Sequence, residues 1–219
     1  MSSAALRREK ILENIAAAAS LAGREPADVQ LIAVSKTRSA EDIKALIDAE
    51  QRDFGESRVQ EALEKWPTLR GCHPDVRLHA IGRLQSNKAA EAVRLFDVIH
   101  SLDRPSLLDA LVKEAERAQR FPSVYLQVNI GEEEQKGGCA IEGVGELVDS
   151  VRASPLPLAG LMCIPPLGLE PTPFFALLQT VGRRHDVMTF SMGMSADYKQ
   201  AVMLGATAVR VGTALFEDG

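Results

Sequence analysis

"LIAVSKTRSAED", residues 31–42, decides the fold, because an apolar run with β-branched residues ends abruptly in Lys36, a polar turn and a helix start. Residues 31–35 have the length and composition of a buried strand, and Ser39 with Asp42 forms the S-x-x-D pattern of a capping box. Strand, short turn and capped helix together make one half of a parallel βαβ unit. The same alternation recurs along the chain. Further strand candidates lie at 52–55, 76–81, 97–101, 124–130, 158–163, 186–191 and 207–212. Helical patterns fill 40–50, 57–66, 85–95, 105–120, 141–153, 172–184 and 195–204, the last with Gly205 as its stop. Eight strand-helix units are the count that closes a (β/α)8 TIM barrel. An open doubly wound sheet is the alternative, weakened because no G-x-G-x-x-G follows the first strand. After the eighth strand only "TALFEDG" remains, so the amphipathic segment near 4–22 is expected to cover the gap between strands eight and one as an extra N-terminal helix.

Composition bounds the rest. The 219 residues are 46% hydrophobic and 25% charged, with a net charge of -5, which provides no footprint for nucleic acid. Any acidic ligand must therefore be held by local charge. No run approaches membrane-spanning length, the N-terminus lacks a signal-peptide core, and no linker or repeat divides the chain, so 1–219 reads as one domain. Cys72, Cys139 and Cys163 fit reduced cytoplasmic thiols, and neither they nor His73, His100 and His185 show metal-ligand spacing.

In a barrel the chemistry sits at the C-terminal ends of the strands. That rim collects Lys36, "GES" (55–57), "IGRLQSNK" (81–88), "HSLD" (100–103), "NIGEEEQKGG" (129–138), "MCIPP" (162–166), "SMGMS" (191–195) and "RVGT" (210–213). A partly desolvated amine at a strand end can attack a carbonyl to form a Schiff base; the blander reading is a lysine snorkelling to solvent. "SMGMS" and "RVGT" shift the balance, because small residues and hydroxyls after strands seven and eight commonly build a phosphate site. An aldehyde at one end and a phosphate at the other describes pyridoxal 5'-phosphate (PLP).

"AVSKT", "FGESRVQE", "IGRLQSNK", "SMGMS" and "VRVGTALF" resemble, in order and over nearly the whole chain, the signatures of the pyridoxal phosphate homeostasis protein family, the YggS/PROSC group. The resemblance implies an alanine racemase N-terminal-like barrel carrying PLP as a Lys36 aldimine. It also implies a cytoplasmic role in buffering and delivering PLP, linked to vitamin B6 balance, without established turnover. Carried over by motif, Ser191 and Met192 supply phosphate donors, completed by Gly212 and Thr213, while Arg210 lies near the pyridine nitrogen. A guanidinium there disfavours ring protonation and makes a poorer electron sink. His79 and Ile81 are expected beneath the ring, His79 being equally readable as a structural histidine. Ser57 stands where the family pattern more often has Asn.

The remaining motifs read more plainly. Asn87 and Lys88 read as a cofactor contact or a helix-start device, Lys136 as a transient contact, and Glu132–Glu134 as a solvated loop face. Trp66 reads as a helix residue covering the barrel, and Cys163 as an inert buried thiol. Monomeric state and apo PLP-dependent enzymes as recipients complete the carrier reading. The alternative is a PLP-dependent enzyme acting on amino acids, disfavoured because racemisation needs a second acid/base group and Tyr125 and Tyr198 fall at no strand's C-terminal end. A cofactor-free Schiff-base aldolase would need polar acid/base groups around Lys36, where strand one offers only Ser35 and Thr37.

Overall fold

A computed structural model describes residues 2–216. Eight parallel strands, β1 (Gln30–Val34), β2 (Asp53–Glu56), β3 (Arg77–Ala80), β4 (Val98–Leu102), β5 (Ser123–Gln127), β6 (Leu158–Met162), β7 (Phe190–Met194) and β8 (Ala208–Val211), close into a barrel in sequence order. The closing pair aligns Gln30 with Ala208 and Ala33 with Val211. Helices α1 (Ser3–Leu21), α2 (Ala40–Asp48), α3 (Val59–Cys72), α4 (Ala89–Leu95), α5 (Pro105–Ala118), α6 (Val144–Arg152), α7 (Thr172–Arg184), α8 (Tyr198–Met203) and α9 (Thr213–Phe216) form the outer layer.

Local chemistry sets these boundaries. At α2 the expected capping box is present in both directions: Asp42 N–H donates to Ser39 Oγ, and Ser39 N–H donates to the Asp42 carboxylate. Such a cap is worth about 1 kcal/mol. Gly205, at φ +88°, takes the left-handed turn after α8 that would strain a residue with a side chain. Between strands and helices, Phe54, Trp66, Phe96, Phe175 and Phe190 are fully buried, each contributing roughly 1.5–3 kcal/mol of burial.

The N-terminal helix fills the expected gap. It packs on α8, α9 and α2, burying Ile11, Ile15, Ala18 and Ala19. Asn14 Nδ2 donates to the Tyr198 hydroxyl (3.0 Å) and Arg7 Nε to the Leu215 carbonyl (2.8 Å). Among the described residues no helix is long and apolar enough to cross a membrane.

Six strands fall within one residue of their expected bounds, and two differ by three or more. Asp186–Met188 is not strand: Asp186 adopts φ +55° and Val187 N–H donates to the Gly182 carbonyl, so this segment closes the end of α7. Consequently β7 starts at Phe190 and runs to Met194, with a register shift against β8 between Ser191 and Met194. Likewise β5 ends at Gln127, because Ile130 N–H folds back onto the Val128 carbonyl.

Candidate functional site

A cleft of about 400 Å³ opens at the C-terminal rim. Val34, Lys36, Thr37 and Arg38 line it from β1 and its turn; Ser57 and Ile81 from β2 and β3; Ile164 from β6. Met194, Ser195 and Ala196 follow β7, and Arg210, Gly212 and Thr213 come from β8 and the start of α9. A second cavity of about 350 Å³ shares Ser57, Ile81 and Ile164 with it and adds Arg83, Gln127, Asn129 and Lys136. A larger groove, about 520 Å³, lies between α5 and α6 on the outer helical layer, away from the strand ends.

The Lys36 side chain is exposed and has no hydrogen-bond or ion-pair partner among the described residues, while its carbonyl accepts from Thr37 Oγ1 (2.6 Å). The expected partial desolvation is therefore absent; the side chain projects from the strand end and stands free to react. The residue after it fixes the turn. Thr37 has φ +61°, unusual for a β-branched residue, and its N–H donates to Glu61 Oε1 at 2.5 Å. Burial pushes the Glu61 carboxyl up, but hydrogen bonds from Lys65 and the Thr37 N–H outweigh it and leave it below its ordinary value.

The structure moves three expected site residues off the cleft. Because β7 extends to Met194, Ser191 and Met192 lie within the barrel wall, both fully buried. Ser191 Oγ accepts from Arg210 Nη1 (2.6 Å) inside the barrel, and Met192 joins the core outside it. Their place on the rim is taken by Met194, Ser195 and Ala196, where Gly212 N–H donates to Ser195 Oγ (3.2 Å). His79 is the third. It shares an inward face with Ile81 but sits two residues earlier on the strand, about 6.6 Å deeper, and bonds His100 and Asp53 rather than lining the cleft. The other expected residues, Lys36, Ser57, Ile81, Arg210, Gly212 and Thr213, do come together. Asn87 and Lys88 lie in a 3-10 turn off the cleft, with Lys88 paired to Glu91 (3.0 Å). Lys136 pairs with Glu133 (2.6 Å) at the neighbouring cavity.

Sequence reasoning missed a buried cluster behind the lysine. Glu56 Oε1 accepts from Ser35 Oγ (2.7 Å) and Trp66 Nε1 (2.9 Å) and lies 2.9 Å from Lys65 Nζ. The one available signal was the carboxylate of Glu56 directly after the apolar Phe54–Gly55 pair of β2.

Charge decides what the cleft can hold. Its lining carries three cations, Lys36, Arg38 and Arg210, and no Asp or Glu, in a chain whose net charge is -5. Burial pushes the Arg210 guanidinium below its ordinary pKa, opposed by Cys163, Asp197 and Tyr125, yet a guanidinium stays charged in proteins. Ser195 and Thr213 add hydroxyls, and the volume suits a small ligand. A free amine facing a hydroxyl-bearing cationic wall fits a phosphorylated aldehyde such as PLP.

Such a barrel, with a strand-one lysine facing the turns after β7 and β8, is of the alanine racemase N-terminal class. Residues 6–218 match that family, described as "Alanine racemase, N-terminal domain". The chain belongs to the pyridoxal phosphate homeostasis protein family within that class. It is 41% identical to the pyridoxal phosphate homeostasis protein of Synechocystis sp., covering 88% of this chain and 93% of the relative, and 39% identical to that of Pseudomonas aeruginosa, covering 99% and 96%. The structure of PipY from Synechococcus elongatus with PLP bound superposes with TM-score 0.80 at 40% identity, covering 93% of this chain and all of that one. An alanine racemase of Clostridium difficile shares the fold alone, with TM-score 0.72 at 15% identity over 95% of this chain and 56% of that one.

Proposed function

We propose that this protein binds PLP in the rim cleft, covalently on Lys36, and serves intracellular PLP homeostasis by holding the cofactor and releasing it to apo PLP-dependent enzymes. The observation that carries the reading is a lining whose charged residues are all cations, around a lysine side chain unpartnered among the described residues. When bound, PLP supplies an electrophilic aldehyde that a primary amine attacks reversibly. Lys36 Nζ provides that amine, Ser195, Gly212 and Thr213 receive the phosphate, and Arg210 faces the ring from the cleft wall. PipY, 40% identical, has been solved with PLP bound, which supports the assignment.

A carrier without turnover is supported by what the lining omits. Among the described residues no His, Tyr, Asp or Glu lines the cleft, so no general acid or base stands opposite Lys36. Tyr125 is buried beneath His100, and the Tyr198 hydroxyl is engaged by Asn14 outside the barrel. The protein is proposed to act as a cytoplasmic monomer. Borohydride reduction of the protein as isolated is expected to bleach a visible band and leave a pyridoxyl adduct on the Lys36 peptide. An adduct elsewhere, or none, rejects the assignment. Incubation with L-amino acids in deuterated water separates carrier from enzyme, since α-deuterium incorporation at catalytic rates contradicts the carrier reading.

A further inference from the structure

The barrel interior holds an unbroken line of polar side chains where layers of aliphatic residues are usual. It starts at Asp53 at the N-terminal end of β2, passes through His79 (Nε2 to Asp53 Oδ1, 3.0 Å) and His100 (Nε2 to His79 Nδ1, 3.0 Å), reaches Ser191 Oγ (2.9 Å from His100 Nδ1) and ends at Arg210 Nη1 (2.6 Å). Five strands of the barrel, β2, β3, β4, β7 and β8, thus contribute to one line that joins the two rims. His79, His100, Ser191 and Arg210 are each no more than 4% exposed.

The chemistry of the two ends fixes the direction of every bond. Arg210 can only donate, so Ser191 Oγ accepts from it and keeps its own proton free to point at His100 Nδ1. A neutral His100 with its proton on Nε2 donates to His79 Nδ1, and the His79 Nε2 proton then points at Asp53. An ionised carboxylate can only accept, so the far end demands the same direction. Burial pushes the Asp53 carboxyl up, but His79, Gln30 and Arg77 together bring it below its ordinary value. Burial pushes His100 well below its ordinary value, with His79 and Arg210 acting the same way.

Each dipole in the line presents its negative end to the guanidinium and its positive end to the carboxylate. Among the described residues no carboxylate forms an ion pair with Arg210 directly; its other bond goes from Nη2 to the Cys163 carbonyl (2.9 Å). A buried cation without a contacting counter-ion needs such compensation.

We propose that Asp53, His79, His100 and Ser191 form a polarised relay that positions and electrostatically balances the Arg210 guanidinium in the cleft, making Asp53, on the opposite rim, a positioning residue for the bound cofactor's ring. The ligand half of this inference rests on the cleft being the PLP site; the relay itself does not. Hydrogen bonds inside a low-dielectric core polarise one another, so a change at one end is felt along the line.

Nitrogen-proton correlation spectra of the full chain without cofactor test the relay first. With only four histidines the rings are assignable, and His100 is expected as a neutral Nε2–H tautomer at neutral pH, with the His79 proton that faces Asp53 on Nε2. Finding His100 with its proton on Nδ1, or charged, overturns the proposal. Asp53→Asn is then expected to shift the His100 ring nitrogens and weaken PLP binding roughly tenfold, the scale of one hydrogen bond to a charged group, with circular dichroism preserved. Unchanged His100 resonances and unchanged affinity also overturn it. Ser191→Ala should weaken PLP binding similarly and Ser191→Thr restore it, because the hydroxyl and not the shape is required; equal affinities contradict the relay. If any variant fails to fold, the wild-type tautomers alone decide. A wild-type chain that binds no PLP refutes the reading of the cleft while leaving the tautomer result standing.

Discussion

Ser35 Oγ donates a 2.7 Å hydrogen bond to Glu56 Oε1, anchoring the backbone one residue before Lys36 to a fully buried carboxylate. Lys65 Nζ completes the clamp by donating to the Ser35 carbonyl (2.9 Å). The reactive lysine therefore projects from a rigid mount, although its own side chain is exposed. Glu56→Ala strips the partner from Lys65, Trp66 Nε1 and Ser35 together. It is expected to cost about 3 kcal/mol in urea denaturation, and a loss below about 1 kcal/mol would mean that the cluster is not a buried ion pair in effect.

Lys36→Ala is the converse case. With no partner to lose, the cofactor-free variant should match wild type within about 0.5 kcal/mol while the visible band of bound cofactor disappears. A retained band would move the attachment elsewhere.

Gly193 sits at φ +93°, and a Cβ there would lie 2.6 Å from Ala201 Cβ. This glycine allows β7 to pass close to α8 and deliver Met194–Ala196 to the rim. Gly193→Ala is expected to destabilise by about 1–3 kcal/mol and to weaken phosphate-dependent binding, read by comparing PLP with unphosphorylated pyridoxal. An unaffected preference for the phosphorylated form would detach the β7 turn from that role.

His100 makes stability pH-dependent. Its folded pKa lies well below 6.5, so below that value the unfolded chain takes up a proton that the folded chain refuses. Stability is therefore intact above about pH 6.5 and falls with acidification, by up to about 1.4 kcal/mol per pH unit. His100→Gln should flatten the slope of the urea midpoint against pH between neutrality and about pH 5.

The cysteines should separate by reactivity. Burial pushes the Cys163 thiol up to about 12 and Cys139 to about 11, whereas Cys72 is exposed. Alkylation of the folded chain at neutral pH should label Cys72 alone, because the thiolate is the reacting form; early labelling of Cys163 would show that the barrel opens.

What the sequence made legible follows from how local each signal is. Residues 31–42 contain strand, lysine and capped helix within one contiguous stretch, and the structure reproduces them. Asp186–Met188 misled because a left-handed Asp186 and a buried Val187 imitate an apolar strand start, which displaced the β7 boundary and left Ser191 and Met192 looking like strand-end residues when both lie within β7. His100 and Ser191 are 91 residues apart, so no local pattern could announce their contact. The same holds for Ser35 and Glu56, which meet only because neighbouring parallel strands align them.

The bond from Arg7 to the Leu215 carbonyl, beside the β1–β8 seam, also bears on biosynthesis. A ribosome releases β1 long before β8, so the first strand waits with one edge unsatisfied while the rest emerges, and α1 waits with its apolar side uncovered. Closing the ring is then the final act of maturation, and during that interval the nascent chain exposes the surface a chaperone would grip.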